Sequence, residues 1–170
     1  EYDILDDPST VGTPIPNKND GATLTFHDGA HISKKGKKFG KSSLKLDGSG
    51  DVVIAGTVSS QLKLEEENFT IEAFVRVDEA TLQDNAIFTI NTDASNYMEF
   101  RLANQKGLAF EVNSSGTATT IEGANTSVEG QNFTKKQFAH VAISRDYITE
   151  RVRLFYDGSE VANAALTTAN

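Results

Sequence analysis

The sequence predicts an all-β chain, an antiparallel two-sheet β-sandwich of the jelly-roll kind. Three observations carry that reading. Apolar residues recur with period two from Thr23 onward. Gly- and Asn-rich turns separate short runs of this kind. No helical pattern longer than a turn or two competes with them. At 170 residues, 38% of them hydrophobic, the chain is long enough to bury a full core as one domain.

The elements follow in order. Pro8, Pro14 and Pro16 all fall in the first sixteen residues. Proline fixes φ and donates no ladder hydrogen bond, so residues 1–16 read as an arm or edge segment, with the sandwich over 17–170. In "KKFGKSSLKLDGSGDVVIAG" (37–56), Leu44 and Leu46 alternate into the corner Asp47-Gly48-Ser49-Gly50-Asp51, and Val52 to Ile54 leave it. Gly48 and Gly50 allow the chain to reverse, and Asp47 and Asp51 are expected to cap turn amides. Gln61 to Glu67 holds helix-forming residues but is short.

Phe69, Ile71, Ala73, Val75 and Val77 then share one face of a strand, with Thr70, Glu72, Phe74 and Arg76 on the other. Met98, Phe100 and Leu102 alternate, "ANQKG" turns with Gly107 at the position needing positive φ, and Leu108, Phe110 and Val112 return. Val141 and Ile143 alternate against His140 and Ala142. Val152, Leu154 and Tyr156 lead into Asp157-Gly158, a strong hairpin signal, and Val161 returns. The expected core is Leu44, Leu46, Phe69, Ile71, Val75, Phe100, Leu102, Phe110, Val141, Ile143 and Leu154.

Charge and composition exclude several function classes. The net charge of −8, from 24 acidic and 16 basic residues, argues against nucleic-acid binding through bulk charge. No segment approaches the ~20 apolar residues of a spanning helix, so no membrane partner is expected. Cysteine is absent, which removes disulfides and thiolate chemistry. Lysines 34, 35, 37, 38 and 41 form a basic run that could engage an anionic polymer, but a solvated edge strand protected from aggregation explains them more simply. Four Asn-x-Ser/Thr matches, at Asn68, Asn113, Asn125 and Asn132, are close to the chance number for so polar a chain.

Several blocks together resemble a known family. "NKNDGATLTFHDGAHISKKGKKFGKSSLKLDGSGDVVIAG", "FTIEAFVRVDE", "NYMEFRLANQKGLAFEVNSSG", "QFAHVAISRD" and "VRLFYDGSEVA" follow in order over Asn17 to Ala162. They are similar to the blocks of a laminin-G-like domain of the concanavalin A-like lectin/glucanase superfamily, in the cysteine-free form of bacterial surface and phage proteins. Phe74 and Phe138 stand where the family usually has Trp. The family's closing strand has no match in "NAALTTAN", so an open sheet edge able to recruit a neighbouring chain is expected.

The resemblance implies an extracellular, cell-surface or virion-surface module rather than an enzyme. The superfamily's glucanases carry Glu-x-Asp-x-x-Glu on one strand; here Glu72 has no carboxylate two residues on, and Glu65 to Glu67 are contiguous and split between faces. His140 lies in the family's common "HVA" block and reads as a packed structural histidine. A glycan ligand would need an exposed aromatic, for which Phe74 and Tyr97 are the candidates; His27 and His31 flank a turn and could contact the same ligand. Laminin-G-like domains often hold calcium on one rim, and Asn91, Asp93, Asn96, Asn113 and Asn125 are the oxygen donors the resemblance points to. The expected partner is a glycan or, alternatively, a neighbouring structural protein of a surface or virion assembly.

Overall fold

The computed structural model describes residues 15–16, 23–55, 67–78, 85–103, 107–123 and 137–166. By contacts the chain divides into two compact units, Glu1–Lys63 and Leu64–Asn170. Both four-stranded sheets are built from strands after Leu64.

The first unit holds β1 (Ile15–Pro16), β2 (Thr23–His27), β3 (His31–Ser33), β4 (Ser43–Lys45) and β5 (Val52–Ala55). β1, β2 and β5 form a three-stranded antiparallel sheet, and β3 pairs with β4 in a separate two-stranded ribbon. Pro16 sits on the edge strand β1, where a missing N–H costs no ladder bond. The corner between β4 and β5 works as its composition suggests. Gly48 and Gly50 take φ of 83° and 82°. The Asp47 carboxylate accepts from Ser49 N–H at 2.7 Å, and Asp51 accepts from Gly29 N–H and Asp47 N–H, both at 2.5 Å. Asp51 therefore ties the β2–β3 turn to the β4–β5 corner.

Two core expectations fail here. Leu44 and Leu46 are about half exposed. Their phase is right, since Leu44 stands opposite Ile32, but two strands of three residues make a ribbon rather than a layer with a covered face.

The second unit is the sandwich. Its strands are β6 (Phe69–Arg76), β7 (Asn85–Asp93), β8 (Asn96–Ala103), β9 (Gly107–Ser114), β10 (Thr117–Glu122), β11 (Phe138–Asp146), β12 (Arg151–Tyr156) and β13 (Ser159–Ala165). They form two antiparallel four-stranded sheets, ordered β10-β9-β8-β7 and β13-β12-β11-β6. Phe100, Leu108, Val141, Ile143, Val152 and Leu154 are fully buried between them, and Phe69 of one sheet meets Phe110 of the other at a ring-centroid distance of 6.5 Å. Phe69, Ile71, Ala73, Val75 and Val77 pack against that core, as the alternation of β6 required. The turns match their chemistry: Gly107 has φ of 82°, and Asp157 and Gly158 both take positive φ, the primed geometry that suits a two-residue hairpin. No helix occurs among the described residues.

Candidate functional site

The outward face of the β13-β12-β11-β6 sheet carries an unusual cluster. On β6 the outward residues are Thr70, Glu72, Phe74 and Arg76, and on β11 they are Phe138, His140, Ala142 and Ser144. The register sets Phe74 opposite His140, Glu72 opposite Ala142 and Thr70 opposite Ser144. Phe74 is 44% exposed. Its ring centroid lies 4.9 Å from that of His140, tilted by 47°. His140 Nε2 approaches Glu72 Oε2 at 3.2 Å.

His140 is held from both ends. Its N–H donates to Asp157 Oδ1 and its carbonyl accepts from Asp157 N–H, each at 2.8 Å, so the β12–β13 turn clamps its backbone. Its side chain is half-buried on the outward face, packed on Phe74 and Glu72, because β11 turns Val141 and Ile143 inward. Along the same two strands the strip passes small side chains at Ala142 and Ser144. It ends in a cavity of about 290 Å³ lined by Asn68, Phe69, Thr70, Ser144, Arg145 and Asp146. Two of the cations on this face already have counter-charges, and Arg151 donates to the Asn163 amide oxygen. Arg76 pairs with Asp78 at 2.9 Å while lying 5.5 Å from the Phe138 ring centroid, and Arg153 approaches Glu160 at 3.6 Å.

Tyr97 lies elsewhere, on the outward face of the other sheet, so it cannot share a ligand contact with Phe74. Its hydroxyl donates to the Glu111 carboxylate, which also accepts from Arg101 at 3.0 Å and Thr120 at 2.9 Å. Arg101 reaches Glu99 at 3.2 Å. Sequence reasoning found no carboxylate pair, yet Glu99 and Glu111 stand directly opposite across β8 and β9. The Tyr97 hydroxyl, with Thr120 and Arg101, holds Glu111 below the ordinary carboxylate range. Through Arg101, Glu111 and Glu99 belong to one hydrogen-bonded ion network on this face.

A laminin G family model, described as the Concanavalin A-like lectin/glucanases superfamily, matches residues 47–170. The chain belongs to this family. Among solved structures, this laminin G-like chain is similar to the crystal structure of an S-layer domain-containing protein from Clostridium thermocellum, with 22% identity and a TM-score of 0.50. The match covers 87% of this chain and 62% of that one, and it supports the fold alone. No curated protein matches.

In this laminin G-like chain the rim residues form a capped turn. Asp93 accepts from Ser95 N–H at 2.7 Å and from the Asn96 amide, 3.0 Å from each carboxylate oxygen. Asn96 Oδ1 in turn accepts from Ser115 N–H at 3.0 Å, tying the β7–β8 turn to the β9–β10 turn. The Asn96 amide, with the Ser95 N–H, holds Asp93 below the usual carboxylate range. No group of three or more His, Cys, Asp or Glu side chains suited to a metal occurs among the described residues. Asn91 and Asn113 stand on either side of Tyr97 in the ladder instead of at the turn, and Asn125 lies outside the described residues. His27 and His31 belong to the first unit. The His31 Nδ1–H donates to Gly29 O at 2.7 Å, and His27 ends β2 opposite Val52.

Proposed function

We propose that this chain is a non-catalytic recognition module of a cell-surface protein, binding a neutral glycan along the β6–β11 strip. The observation that carries the reading is the exposed Phe74 ring set beside His140 and Glu72. An aromatic face offers a flat apolar surface to the C–H face of a pyranose, and the adjoining imidazole and carboxylate supply a donor and acceptors for its hydroxyls. Thr70, Ser144 and the cavity beyond them extend the same strip with hydroxyl and amide groups. Neutral sugar is favoured over uronate or phosphate because Arg76 and Arg153 already have carboxylate partners and Arg151 is engaged by the Asn163 amide.

Family membership supports a recognition role, and the surface setting rests on the S-layer domain-containing protein to which the fold is similar. Screening against a glycan array, with and without EDTA, tests the reading. Phe74→Ala is expected to lower affinity for the bound neutral glycan at least tenfold. Binding that survives both Phe74→Ala and His140→Ala would remove the strip as the site, and glycan hydrolysis lost in Glu99→Gln would make the chain an enzyme.

A further inference from the structure

The two units differ sharply in charge and in apolar exposure. Residues 1–63 carry eight acidic and eight basic residues, whereas 64–170 carry sixteen acidic and eight basic, so the whole formal charge of −8 belongs to the sandwich unit. Within the first unit the basic residues are concentrated. Six lysines lie between Lys34 and Lys45, and no acidic residue occurs between Asp28 and Asp47. All six are exposed, on and around the β3–β4 ribbon.

Apolar side chains accompany them. Phe39, Leu44, Leu46, Val52 and Ile54 are 43–66% exposed, while Phe26 and Ala30 are the buried apolar residues among the described part of this unit. Lys38 Nζ lies 5.8 Å from the Phe39 ring centroid. A surface this apolar is costly to leave in water and marks an interaction site. The mixture also indicates the kind of partner. A polyanion would use the lysines and leave Phe39, Leu44 and Leu46 in water; an acidic protein surface with apolar patches satisfies both.

We infer that the β3–β4 ribbon and its lysine loop dock on the acidic sandwich unit of a second copy of this chain. The charge complementarity is internal to the sequence, because one molecule carries both the basic apolar ribbon and a unit of charge −8. The contact joins two different surfaces, so it is heterologous and generates an open head-to-tail series unless the rotation closes. Asp51 supports the presentation of the ribbon, since its carboxylate ties the turn that enters β3 to the corner that leaves β4. This inference stands apart from the glycan reading, which uses β6 and β11.

Sedimentation of the full 170-residue chain tests it across protein concentration, at low and high salt. The average mass is expected to rise with concentration beyond a dimer in 20 mM salt and to fall severalfold toward the monomer in 500 mM, since exposed charge attraction is screened. Reversing Lys34, Lys35, Lys37 and Lys38 to Glu should abolish the rise. Leu44→Ser should weaken it at both salt concentrations, with an unchanged circular dichroism melt as the folding control. Phe74→Ala should leave assembly intact, which separates this outcome from the glycan test. A strictly monomeric chain overturns the inference. So does association indifferent to the lysine reversal, or a monomer whose ribbon instead binds dextran sulfate in a lysine-dependent way.

Discussion

Phe74 and His140 face each other across the β6–β11 ladder, their ring centroids 4.9 Å apart. Both side chains point away from the core, so their contact adds little to what Phe100 or Ile143 contribute on the other side of the sandwich.

That separation gives the first prediction. Phe74→Ala should change stability by less than about 1 kcal/mol, because the ring lies on the solvent face and its removal opens no cavity in the core. Phe100→Ala, at a fully buried position, should cost roughly 3–5 kcal/mol. Urea melts of the two variants, run beside glycan titrations, make the comparison. A large stability loss for Phe74→Ala would make the residue structural.

Glu111 gives a pH prediction. Its folded pKa is depressed, first by the Tyr97 hydroxyl and then by Thr120 and Arg101. A depressed carboxylate contributes stability that is fully present above its unfolded pKa, near 4.5, and is lost as pH falls through the lower folded value. Glu111→Gln should therefore destabilise the chain at neutral pH by roughly 1–3 kcal/mol and flatten the acid limb of the stability curve. If wild type and variant melt in parallel from pH 7 down to 3, the network contributes nothing through charge.

Gly29 gives a steric prediction. A Cβ at this position would stand 2.9 Å from Asp51 Oδ1, and that oxygen is fixed by the Gly29 N–H bond. Gly29→Ala should loosen the first unit by about 1–3 kcal/mol, the usual cost of an added methyl in a tight place. Hydrogen exchange at the Phe26 and Ile32 amides reports it. Unaltered protection there would mean that Asp51 moves aside at no cost.

The rim turn gives a prediction about calcium. With both Asp93 oxygens accepting from Asn96, the melting temperature should be the same in millimolar calcium and in EDTA. Asp93→Ala should lower the melting temperature slightly and equally in both, since it removes a turn cap. A calcium-dependent rise in melting temperature that disappears in Asp93→Ala would place an ion at the turn.

Much of the sandwich could be read from the chain because strand alternation and turn chemistry are local. The phase of β6, the Met98–Val112 hairpin and the Asp157-Gly158 turn all depend on neighbours within a few residues. The failures were non-local. Leu44 and Leu46 alternate like core residues, but burial depends on how many strands join their ribbon, which no local pattern states. His140 shared its outward phase with Ala142, yet its pairing with Glu72 and Phe74 needed the β6–β11 register. The Glu99–Glu111 pair is likewise invisible within either strand, since it forms only across the β8–β9 register.

The ladder register also has a kinetic consequence. β7 through β10 and β11 through β13 are successive hairpin neighbours, so loop closure costs each of those pairings little. β6 and β11 are different: Glu72 and His140 are 68 residues apart along the chain. Contacts of such separation are formed against the largest entropy cost and set the pace of topologies rich in them. The two meanders can therefore assemble early, while the strip bearing Phe74 and His140 comes into being only when β6 docks on β11. A ligand held on that strip, as proposed, would then bind only the finished fold.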